Sequence, residues 1–205
     1  MSEPKTTTLN KIRDCKPCAY GWTKLLKHLG KTEADDEPLL MSTILESNGL
    51  DDALWCLRVF YGDYRQSVIE FACDCAERVL PIWEAWAEKN RPEHLAAPRK
   101  AIKSARSGDK DAAYAADAAY AAYAAADADA AYAARAADAA CDAAYATRDD
   151  AYTTYAADAA YAARDACAAR ATYAADAACD ASCAADAACE DERRNQEKLL
   201  IKHFG

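Results

Sequence analysis

The sequence predicts an all-α protein: an N-terminal helical bundle packed with long antiparallel Ala-rich helices. Three observations carry the prediction. Gly and Pro number six each in 205 residues, too few for the many tight turns of an all-β fold. Residues 111–190 are about half Ala and contain no Gly, Pro, Leu, Ile, Val, Phe or Lys, and Ala is the best helix former. Val68, Ile69, Ala72, Cys75, Ala76, Val79 and Leu80 recur at the three- and four-residue spacing of a buried helical face. The expected division is a bundle over 1–108 and, over 109–205, an Ala-, Asp- and Tyr-rich hairpin with a closing amphipathic helix. The two parts are expected to form one compact unit, since the chain is long enough for a sizeable core.

Taken in order, residues 1–10 read as a frayed end. Leu9, Ile12, Ala19, Trp22, Leu25, Leu26 and Leu29 indicate one or two short helices, which Gly30 ends. Pro38–Gly49 reads as a helix with Pro near its start and Gly just past its end. Asp51 is placed to cap the segment Ala53–Phe60, which Gly62 closes. The clearest helix runs from Tyr64 to about Val79, and Pro81 begins the next stretch, anchored by Ile82, Trp83 and Trp86. Pro92 and Pro98 punctuate the segment after it. Ala97–Arg106 is a short helix stopped by Ser107 and Gly108, and Asp109 caps the Ala-rich tract.

In that tract, non-Ala residues recur mostly every three positions. An α-helix turns every 3.6 residues, so such a repeat slips by about 60° per step and circles the helix in about 18 residues. Tyr and Asp therefore wind around the helix, and nearly every face keeps Ala patches. Packing through Ala is expected, with Tyr at the seam edges and Asp in water. One unbroken helix over 109–190 would be about 120 Å long. A break is expected where Thr147, Asp149, Asp150, Thr153 and Thr154 cluster, with Asp149 or Asp150 capping the next helix. Asp127–Asp129 is a second break point. The last segment, Glu190–Gly205, continues as an amphipathic helix whose Leu199, Leu200, Ile201 and Phe204 dock onto the N-terminal part.

The net charge of −9 is unevenly placed. Residues 111–190 hold thirteen Asp and one Glu against four Arg, a balance of −10, so the remainder stands at +1. Such an acidic surface repels nucleic-acid phosphates and membrane surfaces. It suits a basic partner, or it simply keeps an Ala-rich surface soluble. The opening MSEPKTTTLN has no apolar core of a signal peptide, and no run approaches the ~20 apolar residues of a membrane span. A cytoplasmic location with ten reduced cysteines is the expectation.

Few residues offer chemistry. Cys15 and Cys18 form a CxxC, but the βαβ context of a redox pair is absent, and a zinc site needs two more ligands, for which Cys73, Cys75 or His28 could serve. Cys73 and Cys75 lie two apart on a helix and point to different faces. His28, His94 and His203 sit in no recognisable catalytic pattern, and there is no GxGxxG, P-loop or HExxH. No catalytic residue, metal site or cofactor is assigned. Trp22, Trp55, Trp83 and Trp86 read as core anchors, with exposure for binding as the other reading for Trp86. An ice-binding face is disfavoured because Thr147, Thr153, Thr154 and Thr172 are unevenly spaced.

Three stretches together carry a resemblance: CAYGWTKLL (Cys18–Leu26), YRQSVIEFACDCAERVLPIWE (Tyr64–Glu84) and PRKAIKSAR (Pro98–Arg106), followed by the AAYAA tract. They resemble the Imm-five-like immunity proteins of bacteria and phages, a family whose role is itself inferred. The likeness spans most of residues 10–190. Its specific part is the block of Ala72, Cys75, Ala76, Val79, Pro98, Arg99, Ala101, Ile102 and Ala105. The chain departs from the family in an apparent insertion over Trp86–Ala96 and in a longer tract richer in Cys and Asp. The resemblance implies no enzyme activity. It implies a small cytosolic protein that neutralises a toxin or, in a phage setting, a host defence component.

The expected activity is therefore binding. A protein partner would meet Asp117, Tyr120, Tyr123, Asp138, Tyr145, Asp158, Tyr161 and Asp176, because Tyr supplies rigid contact area and Asp supplies charge. The plainer alternative is a solvated helix surface. An acidic mimic of DNA that captures a basic nucleic-acid enzyme is a second possibility. A third is a nucleotide or small-molecule sponge in which Tyr stacks a base while Arg135, Arg164 or Arg170 meets phosphate. Direct nucleic-acid or membrane binding is not expected.

Overall fold

The computed structural model describes residues 4–108, 119, 131–146, 154–175 and 181–205. The described residues form an all-α bundle with one minor two-stranded ladder. Thr6–Thr7 is β1, which pairs antiparallel with β2 at Leu39–Leu40, so the expected frayed end is partly tied down. The Thr8 side chain then caps α1 (Leu9–Asp14) by accepting the Lys11 amide at 3.2 Å. The thiol of Cys18 does the same for α2 (Ala19–Leu29), accepting from Gly21 N at 3.3 Å. Gly30 closes α2 with φ of 66°, a left-handed conformation that Gly adopts without a Cβ clash.

The expected helix over Pro38–Gly49 is shorter than the sequence suggests. Pro38 precedes β2, and α3 spans Met41–Asn48 before Gly49 turns the chain at φ of 91°. From there α4 (Leu50–Asn90) runs for 41 residues as the spine of the molecule. Gly62 does not close a helix. The break comes two residues later at Tyr64 (φ −132°, ψ 37°), where the chain kinks and resumes. Pro81 likewise sits inside α4 instead of starting a new helix. An interior Pro costs roughly 3 kcal/mol. Val79, Leu80, Ile82 and Trp83 around it are all buried, and each such side chain returns about 1.5–3 kcal/mol. Burial outweighs the local rule.

A short 3-10 turn (Pro92–His94) leads to α5 (Ala97–Ser107), which has Pro98 in its first turn and ends at the left-handed Gly108. Arg99 of α5 makes a paired contact with Glu84 of α4, with two hydrogen bonds of 2.8 Å. In the tract, α6 (Ala131–Tyr145) and α7 (Tyr155–Ala175) flank the expected break around 147–154. The caps proposed at Asp109, Asp149 and Asp150 and the second break at Asp127–Asp129 lie outside the described residues. The α6 and α7 helices pack side by side, and the Tyr145 and Tyr155 rings meet at 5.2 Å where the two ends come together, so the pair is antiparallel. Ala133, Ala136, Ala137, Ala139, Ala140, Ala143 and Ala144 of α6 are all buried, against α4, α5 and α7 at once. The winding repeat has this consequence: with Ala on every face, one helix can accept neighbours on three sides.

The closing helix α8 (Ala181–Phe204) lies against α7 and α4. Leu200 and Phe204 are fully buried, and Phe204 meets Phe60 edge-on at 5.3 Å. Ile201, expected to dock with them, is 52% exposed because it falls on the opposite face. Gln196 is wholly buried and donates to the Ala160 carbonyl at 2.7 Å, while buried Glu192 pairs with Arg78 at 3.1 Å. His203 lies 2.9 Å from Asp74, which also takes Arg106 at 3.0 Å and Lys202 at 2.7 Å. These contacts fasten α8 to both α4 and α5.

Candidate functional site

Four of the eight residues expected to meet a partner fall on described helices. Asp138 and Tyr145 are on α6, and Asp158 and Tyr161 are on α7. Asp117, Tyr120, Tyr123 and Asp176 lie outside the described residues. The aspartates do not all stand in water, as the sequence suggested. Asp138 and Asp142 are one helical turn apart on α6, so they share a face. Asp158 of α7, the neighbouring helix, is within electrostatic reach of both, so the three carboxylates act on one another across the α6–α7 pair.

Burial and mutual repulsion act together there. Burial, with the charges of Asp138 and Asp158 added, pushes the Asp142 carboxyl up to about 8, against which Arg135 works only weakly. Asp142 therefore carries its proton at neutral pH and can donate a hydrogen bond. Burial also raises Asp138, although Arg135 lies 3.3 Å away, and burial raises Asp158, with Asp138 adding to it. Asp142 was missed by sequence reasoning. The signal existed in its spacing of four from Asp138, but spacing does not reveal which face is covered.

A tyrosine cluster closes the same end of the hairpin. Beside the Tyr145–Tyr155 contact, buried Tyr61 of α4 donates from its hydroxyl to the Ala146 carbonyl at 3.0 Å. Arg65 donates to that hydroxyl at 2.9 Å. Tyr61 and Tyr155 are further residues of this region that the sequence did not single out.

Two of the three arginines weighed for phosphate have partners within the chain. Arg164 lies over the Tyr161 ring at 4.7 Å and pairs with Asp51 at 3.0 Å, its side chain only 11% exposed. Arg135 pairs with Asp138. Arg170 is exposed on α7. Two of the three are thus engaged by the protein's own carboxylates.

The remaining candidates are quiet. Burial pushes the thiols of Cys56 and Cys73 up to about 12 and Cys167 up to about 11, and raises Cys75 strongly, so these stay protonated and unreactive. Cys15 and Cys18 are exposed and free. Trp83 is fully buried and Trp86 packs beside it at 5.4 Å, partly buried. Among the described residues no group of three or more His, Cys, Asp or Glu is arranged to hold a metal ion. None of the described helices is long and apolar enough to cross a membrane. The chain matches no family model, no curated protein and no solved structure.

Proposed function

We propose that this chain is a non-enzymatic binding protein of the immunity or anti-defence kind, cytoplasmic, which neutralises a toxin or a host defence component by direct contact. The observation that supports it is the carboxylate seam of Asp138, Asp142 and Asp158, with Arg135 and Arg58 as weak counter-charges. Crowded, half-desolvated carboxylates cost the free chain stability. A cationic group brought by a partner relieves that cost, so partner binding is favoured by strain already present. The neighbouring Tyr145, Tyr155 and Tyr161 add rigid contact area. The resemblance to Imm-five-like immunity proteins points the same way.

Mimicry of DNA fits this seam less well. Phosphate mimicry needs fully ionised, exposed charges, whereas Asp142 is protonated at neutral pH. The test is affinity capture from bacterial lysate at low and high salt, with the wild-type chain beside an Asp138→Asn/Asp158→Asn variant. A partner retained by the wild type and lost from the variant supports the reading. Hydrolysis or transfer activity in a broad substrate screen, abolished by one substitution, overturns it.

A further inference from the structure

The chain shows how it holds a guanidinium group. Arg164 lies over the Tyr161 ring at 4.7 Å while Asp51 takes its charge at 3.0 Å, and Arg193 reaches the same carboxylate at 3.4 Å. The next residue, Asp52, offers a similar pairing in a different setting. It sits in a cavity between α2, α3 and α4, beside Trp22 and Trp55, with Leu25 and Ile44 as apolar wall and Cys18 at the rim. Its carboxylate accepts from Asn48 at 2.7 Å. Among the described residues no cation pairs with it. The nearby Lys24 is directed to the Asn48 carbonyl at 3.3 Å, and Arg58 lies over Trp55 at 4.4 Å with its Nε on the Trp55 carbonyl.

Gly21 shapes this cavity. A Cβ there would fall 2.8 Å from Asp52 Oδ2, so the missing side chain lets the carboxylate approach α2. Asn48 donates to both the Gly21 carbonyl and Asp52, which fixes the carboxylate in place. The cavity volume is about 80 Å³. That is far below the ~300–1,000 Å³ of a pocket for a nucleotide or drug-sized ligand, yet several times the room for one water. It suits the end of one side chain.

We propose that this cavity receives an arginine side chain of a partner protein, its guanidinium stacked on Trp22 and bonded to Asp52, since the Trp55 ring already carries Arg58. Arginine fits better than lysine because a planar, weakly hydrated cation satisfies an aromatic face and a carboxylate together. The cavity is separate from the carboxylate seam, so the proposal stands whether or not the seam binds a partner.

The probe is N-acetyl-arginine amide, tested on a Cys15→Ser chain by the rate of Cys18 alkylation and by tryptophan fluorescence. Saturable protection of Cys18 is expected with a Kd of about millimolar, as suits one isolated side chain. N-acetyl-citrulline amide, equal in shape but uncharged, should give none, and Asp52→Asn should weaken the arginine effect about tenfold or more. The citrulline contrast needs no variant and so survives a folding defect in Asp52→Asn. Four results overturn the proposal: no saturable protection; equal protection by citrulline or norleucine amide; protection that rises with protein concentration alone, which marks a contact between copies; and much tighter binding of free arginine than of the capped form, which marks a metabolite.

Discussion

The two halves of this molecule build helix packing from opposite materials. Around α4 the interior is made of large side chains: Phe60, Phe71, Trp83, Leu54, Leu57 and Ile102 are all fully buried. Across α6 and α7 it is made almost wholly of methyl groups, with Ala136, Ala140, Ala159 and Ala163 at zero exposure. Large side chains gain more burial energy each but bind a helix to particular neighbours. Alanine gains little per residue, yet a three-residue repeat lets it do so on every side. The first half draws its stability from packing, and the second leans on helix propensity and on the first half as its support. The polar seam belongs to the second, where there are no large apolar groups to crowd it out.

The sharpest contrast comes from truncation. Phe60→Ala, which empties the edge-on contact with Phe204, should cost about 3–5 kcal/mol in urea unfolding. A loss below about 1 kcal/mol would mean that the aromatic interior is not what holds α8. The seam should answer in the opposite direction. A carboxyl whose folded pKa of about 8 lies above its unfolded 3.8 takes up a proton on folding. Stability from that group is complete below about pH 4 and is lost as pH rises through about 8. Asp142→Asn should therefore raise stability at pH 8 by on the order of a few kcal/mol and flatten its pH dependence. A variant as unstable as wild type at pH 8 would show that water reaches the seam freely.

Overpacking probes the methyl interior. Ala140→Leu should destabilise by about 1–3 kcal/mol, since close-packed helices have no room for three more carbons. A neutral result in thermal melts would reveal a loose seam. Asp74 tests the joint between the halves. Burial pushes its carboxyl up, but hydrogen bonds from Lys202, His203 and Arg106 win and hold it down at about 2. Its contribution is present above the unfolded value of 3.8 and fades as pH falls through about 2. Asp74→Asn should cost about 2 kcal/mol at pH 7 and little at pH 2, read by chemical denaturation at both. The smallest effect is expected at Gly62, which lies within α4 with nothing inside 4 Å of where a Cβ would stand. Gly62→Ala should stabilise by up to ~1 kcal/mol, and a loss would tie this glycine to the kink at Tyr64.

Much of this was legible beforehand, and the exceptions share a cause. Helical class, the terminators Gly30, Gly49 and Gly108 and the start of α5 at Ala97, with Pro98 in its first turn, all depend on φ preference, propensity and caps. Those act within a few residues, so a one-dimensional reading contains them. Passage of α4 through Gly62 and Pro81, the pairing of Thr6–Thr7 with Leu39–Leu40, the exposure of Ile201 and the burial of Asp142 were decided elsewhere. Each depends on which surface of a distant element lies alongside. The winding repeat specified that α6 and α7 could pack on several sides. Only the tertiary arrangement chose which of their carboxylates would lose water, because desolvation is a property of the neighbours and not of the residue.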